Sequence, residues 1–189
     1  MTEPSLTECR EPWVIFTRAD DPWVDGEAQR LRDAGGAVVR LDGRELLEPG
    51  SLMAAFAREV DLPAYFSHNW DSLAASLHER HSHTAATSDL AILIEHADPL
   101  LGADHLGLFV AVLCQGAWQA NLRIDGDGSL DVDYNERNAL HVVFLLDETD
   151  PAEFAGPAAT DEDVWVELVD GRLTASNTGE EWPAAPRER

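Results

Sequence analysis

The stretch of the sequence with the clearest chemical potential is residues 65–71, in which an acid follows aromatic and polar side chains. Asn69 is a good helix N-cap, because its side-chain oxygen can accept an N–H group of the first turn. Asp71 would lie in that turn, where the helix dipole stabilises a carboxylate by about 0.3–1 kcal/mol. Around it stand Tyr65, Phe66, Ser67, His68 and Trp70. The pattern predicts a fixed, exposed anion suited to a cationic partner, although ordinary capped helices also carry an acid there.

Two other groups contain residue types that bind metal ions. His78, His81 and His83, with Glu79 between them, include two histidines spaced as zinc ligands on one helix face. The acids from Asp125 to Glu136 have the spacing of an EF-hand calcium loop, but the sixth position is not glycine. No cysteine or further acid follows the histidines at ligand spacing. We therefore favour a solvated loop and the outer face of a hairpin, and we predict neither a metal nor a cofactor.

The sequence lacks the patterns of enzymes that use a nucleophile or bind phosphate. Ser67 precedes His68 without the glycine elbow that exposes a catalytic serine. Cys114 lies in an apolar helical pattern with no positive neighbour to lower its pKa. The glycines at 35–36 and 126–128 do not form the strand-to-helix loop that holds phosphates. We therefore predict a protein without catalytic activity of its own.

The charge of the chain is strongly acidic. Its 13 Lys and Arg residues against 36 Asp and Glu residues give a net charge of −23. Such a chain repels nucleic acid and attracts a basic protein, whose encounter it accelerates. Solubility alone is a second explanation of this charge. The composition disfavours direct binding of RNA or DNA and favours a basic protein partner.

The elements that would position these residues follow from the hydrophobic pattern. Leu90 to Ile94 has no polar alternation, so it should be buried on both faces like a central parallel strand. Glu95 follows its carboxyl end, where sites collect in open α/β sheets, and is a second candidate acid. Apolar runs predict strands around Val14, Val38, Ile92 and Val143, and turn signals predict hairpins at 121–135 and 164–174.

Four helices are predicted between these strands. The first covers residues 25–34, and the second runs to Val60 from an N-cap at Ser51. The third carries the apolar stripe Trp70, Leu73, Ala74 and Leu77, which should face the core. The fourth covers residues 104–117. The predicted fold class is α/β: a mostly parallel sheet of about four strands covered by helices, with two added β-hairpins.

We expect one domain with extensions at both ends. Residues 1–12 are predicted to be a disordered tail, and 13–36 a βα extension packed on the same domain. Residues 37–147 form the main unit, with a hairpin insertion at 121–135, and 148–189 form a linker, a hairpin and a tail. The sequence shows no apolar run of 18 residues and no secretory signal, and two cysteines are too few for a disulfide framework. These features predict a cytoplasmic protein that does not enter a membrane.

The central stretch resembles the barstar family of ribonuclease inhibitors. The family pattern is leucine-proline, one residue, two aromatics, usually glycine, one residue, asparagine, an apolar residue, aspartate, a small residue and leucine. This chain supplies Leu62, Pro63, Tyr65, Phe66, Asn69, Trp70, Asp71, Ser72 and Leu73, with Ser67 where glycine is usual. The resemblance covers residues 37–147. It implies a barstar-like fold, and it places Tyr65 and Asp71 on the face that plugs a ribonuclease cleft.

The chain also departs from that family pattern. Where the family has a tryptophan and a second aspartate, this sequence has Ala74 and Ala75, and no acid occurs at 110–113 to match a late glutamate. We therefore expect a partner other than barnase itself. Alternative docking centres are Glu79, Glu95 and the acids of the predicted hairpin at 125–133.

The function predicted from these observations is that of a cytoplasmic, barstar-like immunity protein. It would occlude the basic active site of a ribonuclease or related toxin, with contacts from Tyr65 to Asp71 and from Glu79 and Glu95. Two alternatives stay open. One is a metal-dependent hydrolase that uses the histidine or aspartate groups, and the other is a scaffold protein that associates through its hairpins.

Overall fold

A six-stranded sheet organises the chain in the computed structural model, which describes residues 3–79, 89–122 and 138–177. Its strands are β1 (Val14–Arg18), β2 (Ala37–Asp42), β3 (Leu90–Glu95), β4 (Leu140–Leu146), β5 (Val164–Val169) and β6 (Arg172–Asn177). Its helices are α1 (Pro22–Asp33), α2 (Pro49–Glu59), α3 (Trp70–Glu79), α4 (Leu106–Leu122) and α5 (Ala155–Ala158). The strand order is β2-β3-β4-β1-β6-β5. The first four are parallel, and β6 runs antiparallel to both β1 and β5. The predicted α/β class with a mostly parallel sheet is confirmed.

The two central strands β3 and β4 explain why continuous apolar runs occur in this sequence. Ile92 of β3 lies opposite Val142 of β4, and every residue from Leu90 to Ile94 is fully buried. Helices cover both faces of a parallel sheet, so neither face of these strands needs polar residues. The absence of alternation was therefore a reliable signal of their position.

The two faces of the sheet are covered unequally. The larger core lies on the side of α2, α3 and α4, where the Phe16 and Phe144 rings stack with centroids 4.4 Å apart. The smaller core lies on the side of α1, where Val24 and Leu31 pack against Ile15 and Val143. Alternate residues of each strand thus serve opposite layers, as the two-residue period of a strand requires.

The predicted disordered tail is wrong for residues 3–12, which pack on the domain. Leu6 is fully buried in the smaller core, and its N–H donates to a carboxylate oxygen of Glu27 at 2.9 Å. The buried imidazole of His141 lies 3.0 Å from the carbonyl oxygen of Pro12 and 2.9 Å from that of Glu8. This segment thus contributes to the same layer as α1, a role that its polar composition does not reveal.

The fourth helix is longer than predicted and replaces the start of the expected hairpin at 121–135. Helix α4 continues through Leu122, and Asn121 connects the end of the helix to β4 by hydrogen bonds. The Asn121 side-chain amide donates to the carbonyl oxygens of Ala117 at 2.7 Å and Leu140 at 2.9 Å. The rest of that hairpin, and the acids from Asp125 to Glu136 that have the spacing of a calcium loop, lie outside the described residues.

Three smaller expectations are also corrected. Ser51 does not cap α2, since the helix begins at Pro49, which suits the first helical position, and Glu48 precedes it. The linker predicted at the start of residues 148–189 contains a short 3-10 helix and α5, and its Phe154 is fully buried with its ring centroid 5.0 Å from that of Phe16. The C-terminal hairpin forms as predicted, but β6 joins the main sheet through the pairing of Val14 with Ala175.

No helix in the three described ranges is both long enough and apolar enough to cross a membrane.

Candidate partner-binding face

The start of α3 is fixed by the cap that the sequence predicts. The Ser72 N–H donates to the Asn69 side-chain oxygen at 2.8 Å, which satisfies one of the donors left open at a helix start. The Ser72 hydroxyl oxygen in turn accepts the N–H of Ser67 at 2.7 Å. The loop before α3 is therefore bonded to the first turn of the helix at two points.

The same loop lies along the length of α3. The Tyr65 hydroxyl donates to the Glu79 carboxylate at the far end of the helix, and the Ser67 hydroxyl donates to the Tyr65 carbonyl oxygen at 3.0 Å. Tyr65 remains 48% exposed, so its ring is available at the surface. The structure thus brings together two predicted site residues that are well separated in sequence.

Phe66 and Trp70 anchor this surface from below. Phe66 is half-buried and packs on the larger core, while the His68 ring lies against it with centroids 4.9 Å apart. The half-buried Trp70 ring packs near His105, which directly precedes α4, and Phe109 of α4, at 5.8 Å and 6.1 Å between ring centroids. These aromatics hold the loop and helix in place, and their remaining exposed edges contribute shape.

Asp71 is exposed in the first turn of α3, as the sequence predicts. Residues 59–79 contain the acids Glu59, Asp61, Asp71 and Glu79 but neither Lys nor Arg, and α4 contains neither as well. Glu59 pairs with Arg58 of α2, whereas Asp71 lies within residues 60–79, a stretch that contains neither Lys nor Arg. We call the loop and helix from Tyr65 to Glu79 the α3 face.

A cleft between α3 and α4 was not predicted. One stripe of α3, formed by Asp71, Ala74, Ala75 and His78, faces a stripe of α4 that includes Gln115, across a space of about 190 Å³. Spacings of three, four and seven residues place such side chains on one side of a helix. The only signal in the sequence was the occurrence of alanines where the resembling family has large or acidic residues.

A glycine allows α3 and α4 to lie close together beside this cleft. A Cβ atom added at Gly116 would lie 3.1 Å from the Leu77 Cβ and 3.3 Å from the Ala74 carbonyl oxygen. Both contacts are tighter than ordinary packing distances. Gly116 thus sets the separation of the two helices that line the cleft.

Glu95, the other predicted acid, belongs to a different network. It follows the carboxyl end of β3 as expected, but it forms an ion pair with Arg40 of β2. Nearby, His96 lies 2.7 Å from Asp147, and Arg44 forms a bidentate pair that lowers the pKa of Asp42 to about 2. The structure therefore gives Glu95 a partner within the chain and no contact with the α3 face in the described residues.

Asp98 joins the loop after β4 to the loop after β3. Its carboxylate accepts the N–H groups of Asp147, Glu148 and Thr149 at 2.8, 3.0 and 2.7 Å. Partial burial opposes ionisation, but these hydrogen bonds outweigh it and hold the pKa of Asp98 well below its usual range. This carboxylate therefore stabilises the contact between the two loops.

Two observations on the described residues concern metal ions and Cys114. Among residues 3–79, 89–122 and 138–177, no group of three or more His, Cys, Asp or Glu residues could hold a metal ion. Burial raises the pKa of the Cys114 thiol, which suits a core residue and not a nucleophile. His81 and His83 lie outside the described residues.

The central part of the chain matches a known protein family. Residues 36–124 match the family model described as Barstar (barnase inhibitor), a segment that includes β2, α2, the α3 face, β3 and α4. No curated protein sequence matches the chain.

Proposed function

Residues 36–124 of this chain belong to the barstar family, and we propose that the protein is an inhibitor that occludes the basic active site of a ribonuclease. Members of that family are non-catalytic inhibitors that bind ribonucleases. The proposal extends this family property to this chain and assigns the contact to the α3 face. Tyr65, Asp71 and Glu79 would supply its polar contacts.

The observation that supports the proposal is the exposed carboxylate of Asp71 on the α3 face. Asp71 is exposed at a capped helix start, and neither Lys nor Arg occurs in residues 59–79 or in α4. A ribonuclease needs cations in its cleft to hold the phosphates of RNA. Carboxylates at fixed positions can take the place of those phosphates.

The mechanism is occlusion, with no bond made or broken by this chain. The loop is bonded to α3 at Ser67 and Tyr65, so it loses little conformational freedom on binding. The net charge of −23 accelerates encounter with a basic enzyme, and the exposed Tyr65 ring adds contact area. Both effects favour a tight complex that excludes RNA from the cleft.

The partner we propose is a ribonuclease or related toxin other than barnase. Ala74 and Ala75 present no acid in the middle of α3, so the contacts must be arranged differently from those of the resembling family. The biological role would then be that of an immunity protein that protects its own cell.

The experiment that tests this function is capture of partners from the source cell, followed by a ribonuclease assay. The wild-type protein is expected to retain a basic ribonuclease and to suppress its cleavage of RNA at equimolar ratio. Asp71→Ala should weaken this retention. Its matched control is Asp25→Ala, because Asp25 is also an exposed first-turn acid but lies on α1, on the opposite side of the sheet. Retention of a ribonuclease whose activity does not change would contradict the proposal.

A further inference from the structure

The strand β5 is an open edge of the sheet that exposes apolar side chains. It stands last in the strand order, and within the described residues its neighbour in the sheet is β6. Trp165 is 63% exposed and Leu168 is 53% exposed, the two highest values among the large hydrophobic side chains that the structure describes. An exposed apolar edge strand is a template for pairing with another chain.

The backbone of β5 also directs hydrogen-bonding groups outward. In an antiparallel pair, successive residues face the partner strand and the free side in turn. The Ala175 carbonyl oxygen of β6 faces away from β5, since it accepts the N–H of Trp13 at 3.2 Å. The residue of β5 opposite Ala175 is Val166. The N–H and C=O groups of Val166, and by the same alternation those of Leu168, therefore point to the open edge.

The opposite edge of the sheet is protected by charges, as edge strands commonly are. Its strand β2 carries Arg40 and Asp42, which form ion pairs with Glu95 and Arg44. Among its six residues, β5 carries a single charged side chain, that of Glu167. Of the two edges, β5 is thus the one with the composition of a pairing strand.

The sequence of β5 is self-complementary in one antiparallel register. With a two-fold axis through Val166, Val164 lies opposite Leu168 of a second copy. Trp165 then lies opposite Glu167 of that copy, so that no like charges face each other. If the axis passed through Glu167 instead, two carboxylates would lie directly opposite, which destabilises a sheet. The register centred on Val166 covers the exposed Leu168 and bonds the outward groups of Val166 to those of its counterpart.

We propose that β5 is a self-association surface, through which two copies of this chain pair edge to edge and join their sheets. The inference is independent of the proposed function, because β5 lies outside the α3 face. The contact is confined to one short strand of each copy, so we expect a weak dimer with a Kd of roughly 10–100 μM. The net charge of −23 on each copy opposes association, and salt should therefore strengthen it.

Sedimentation velocity of the full chain over a concentration series around that Kd tests the proposal. Single chains are expected at low concentration and dimers at high concentration. Association should be at least about threefold tighter in ~0.5 M than in ~0.05 M sodium chloride, because salt screens the repulsion of two acidic chains. Single chains at every concentration, or growth beyond the dimer, would overturn the two-fold pairing.

Variants of the edge strand connect the dimer to β5. Leu168→Lys places a charge on the edge and should weaken association by roughly tenfold or more. Leu47→Lys is the matched control, because Leu47 is also an exposed leucine, at 38%, but lies outside β5. It should leave the Kd within about twofold of wild type. Association of Leu168→Lys at wild-type strength would contradict the proposal.

A second variant acts on the backbone instead of a side chain. Val166→Pro removes an outward N–H without removing a hydrogen bond to β6, a change that edge strands tolerate, and it should also weaken association by roughly tenfold. Urea denaturation at concentrations below the Kd shows that the variant is folded. A folded Val166→Pro variant that dimerises as tightly as wild type would overturn the edge-to-edge pairing.

The register is tested by opposite charges at one position. A lysine at residue 165 would face Glu167 of the other copy, so Trp165→Lys should associate more tightly than Trp165→Glu by roughly tenfold. Leu47→Lys and Leu47→Glu control for the change in net charge and should differ from each other by less than about threefold. An equal difference within the two pairs of variants would overturn the register centred on Val166.

Discussion

The Tyr65 hydroxyl donates a hydrogen bond to the carboxylate of Glu79, which lies fourteen residues further along the chain. This bond connects the loop before α3 to the last turn of that helix, while Ser67 and Ser72 connect the same loop to the first turn. The loop and the helix therefore behave as one preformed surface. A surface fixed in advance binds with a smaller loss of conformational entropy.

Removing the Tyr65 hydroxyl should loosen this surface. Tyr65→Phe keeps the ring but loses the donor, and we expect partner affinity to fall by roughly threefold to tenfold, as for one hydrogen bond worth about 0.5–1.5 kcal/mol. Calorimetric titration with the captured ribonuclease measures the change. Faster amide hydrogen exchange at Ser67 should accompany it, and unchanged exchange and affinity would show that the bond does not organise the loop.

The cap of α3 should contribute measurably to stability. Asn69→Ala removes the acceptor for the Ser72 N–H and is expected to lower the free energy of unfolding by about 1 kcal/mol. Asn69→Asp retains an acceptor and should remain close to wild type. Urea denaturation compares the two variants, and equal losses in both would mean that the side-chain oxygen is not the stabilising group.

The close approach of α3 and α4 gives a prediction at Gly116. Gly116→Val would push the Leu77 side chain and the Ala74 backbone of α3 away from α4. We therefore expect a loss of about 1–3 kcal/mol in the free energy of unfolding. Gly26→Ala is the contrasting change, because Gly26 lies inside α1 with open space around it. That variant should gain about 0.5–1 kcal/mol. A Gly116→Val variant as stable as wild type would contradict the tight helix contact.

The pH dependence of stability should reflect Asp98. Its pKa in the folded state lies below the ordinary value of 3.8, so the unfolded chain binds the proton more readily. The stabilisation is therefore complete above about pH 5 and is lost as the pH falls through the ordinary value towards the lower pKa of the folded state. Asp98→Asn should be less stable at neutral pH by about 1 kcal/mol, since solvent screens this partly exposed group.

The same variant should also lose less stability between about pH 5 and pH 2.5 than the wild type. Asp61→Asn, at an exposed residue, serves as the control. If the free energy of unfolding fell in parallel with pH for wild type and Asp98→Asn across that range, the stabilising role of the Asp98 carboxylate would be ruled out.

The features that the sequence predicted correctly are those set by local chemistry. The Asn69 cap, the apolar stripe of α3 and the buried run of β3 depend on residues close together in the chain. The interactions that favour these features depend little on the rest of the fold, so the sequence pattern alone identifies them. The position of Glu95 at a strand end followed from the same kind of reasoning.

The features that it missed depend on residues far apart in sequence. Leu6 is buried in a cluster with Val143, which is far away in the sequence, and the Phe154 ring packs against that of Phe16. The ion pair of Glu95 requires the register of β2 against β3, and the cleft requires α4 to pack beside Ala75. None of these neighbours can be identified from local periodicity.

The most direct test of the central claim compares two acids in equivalent local positions. Asp71 and Asp25 both lie in the first turn of a helix, so replacing either by Ala should lower the melting temperature by a similar ~1–4 °C. Only Asp71 lies on the α3 face. The account predicts that Asp71→Ala weakens binding of the captured ribonuclease by roughly tenfold to a hundredfold while Asp25→Ala leaves the Kd unchanged. Equal affinity of the two variants for that enzyme would contradict it.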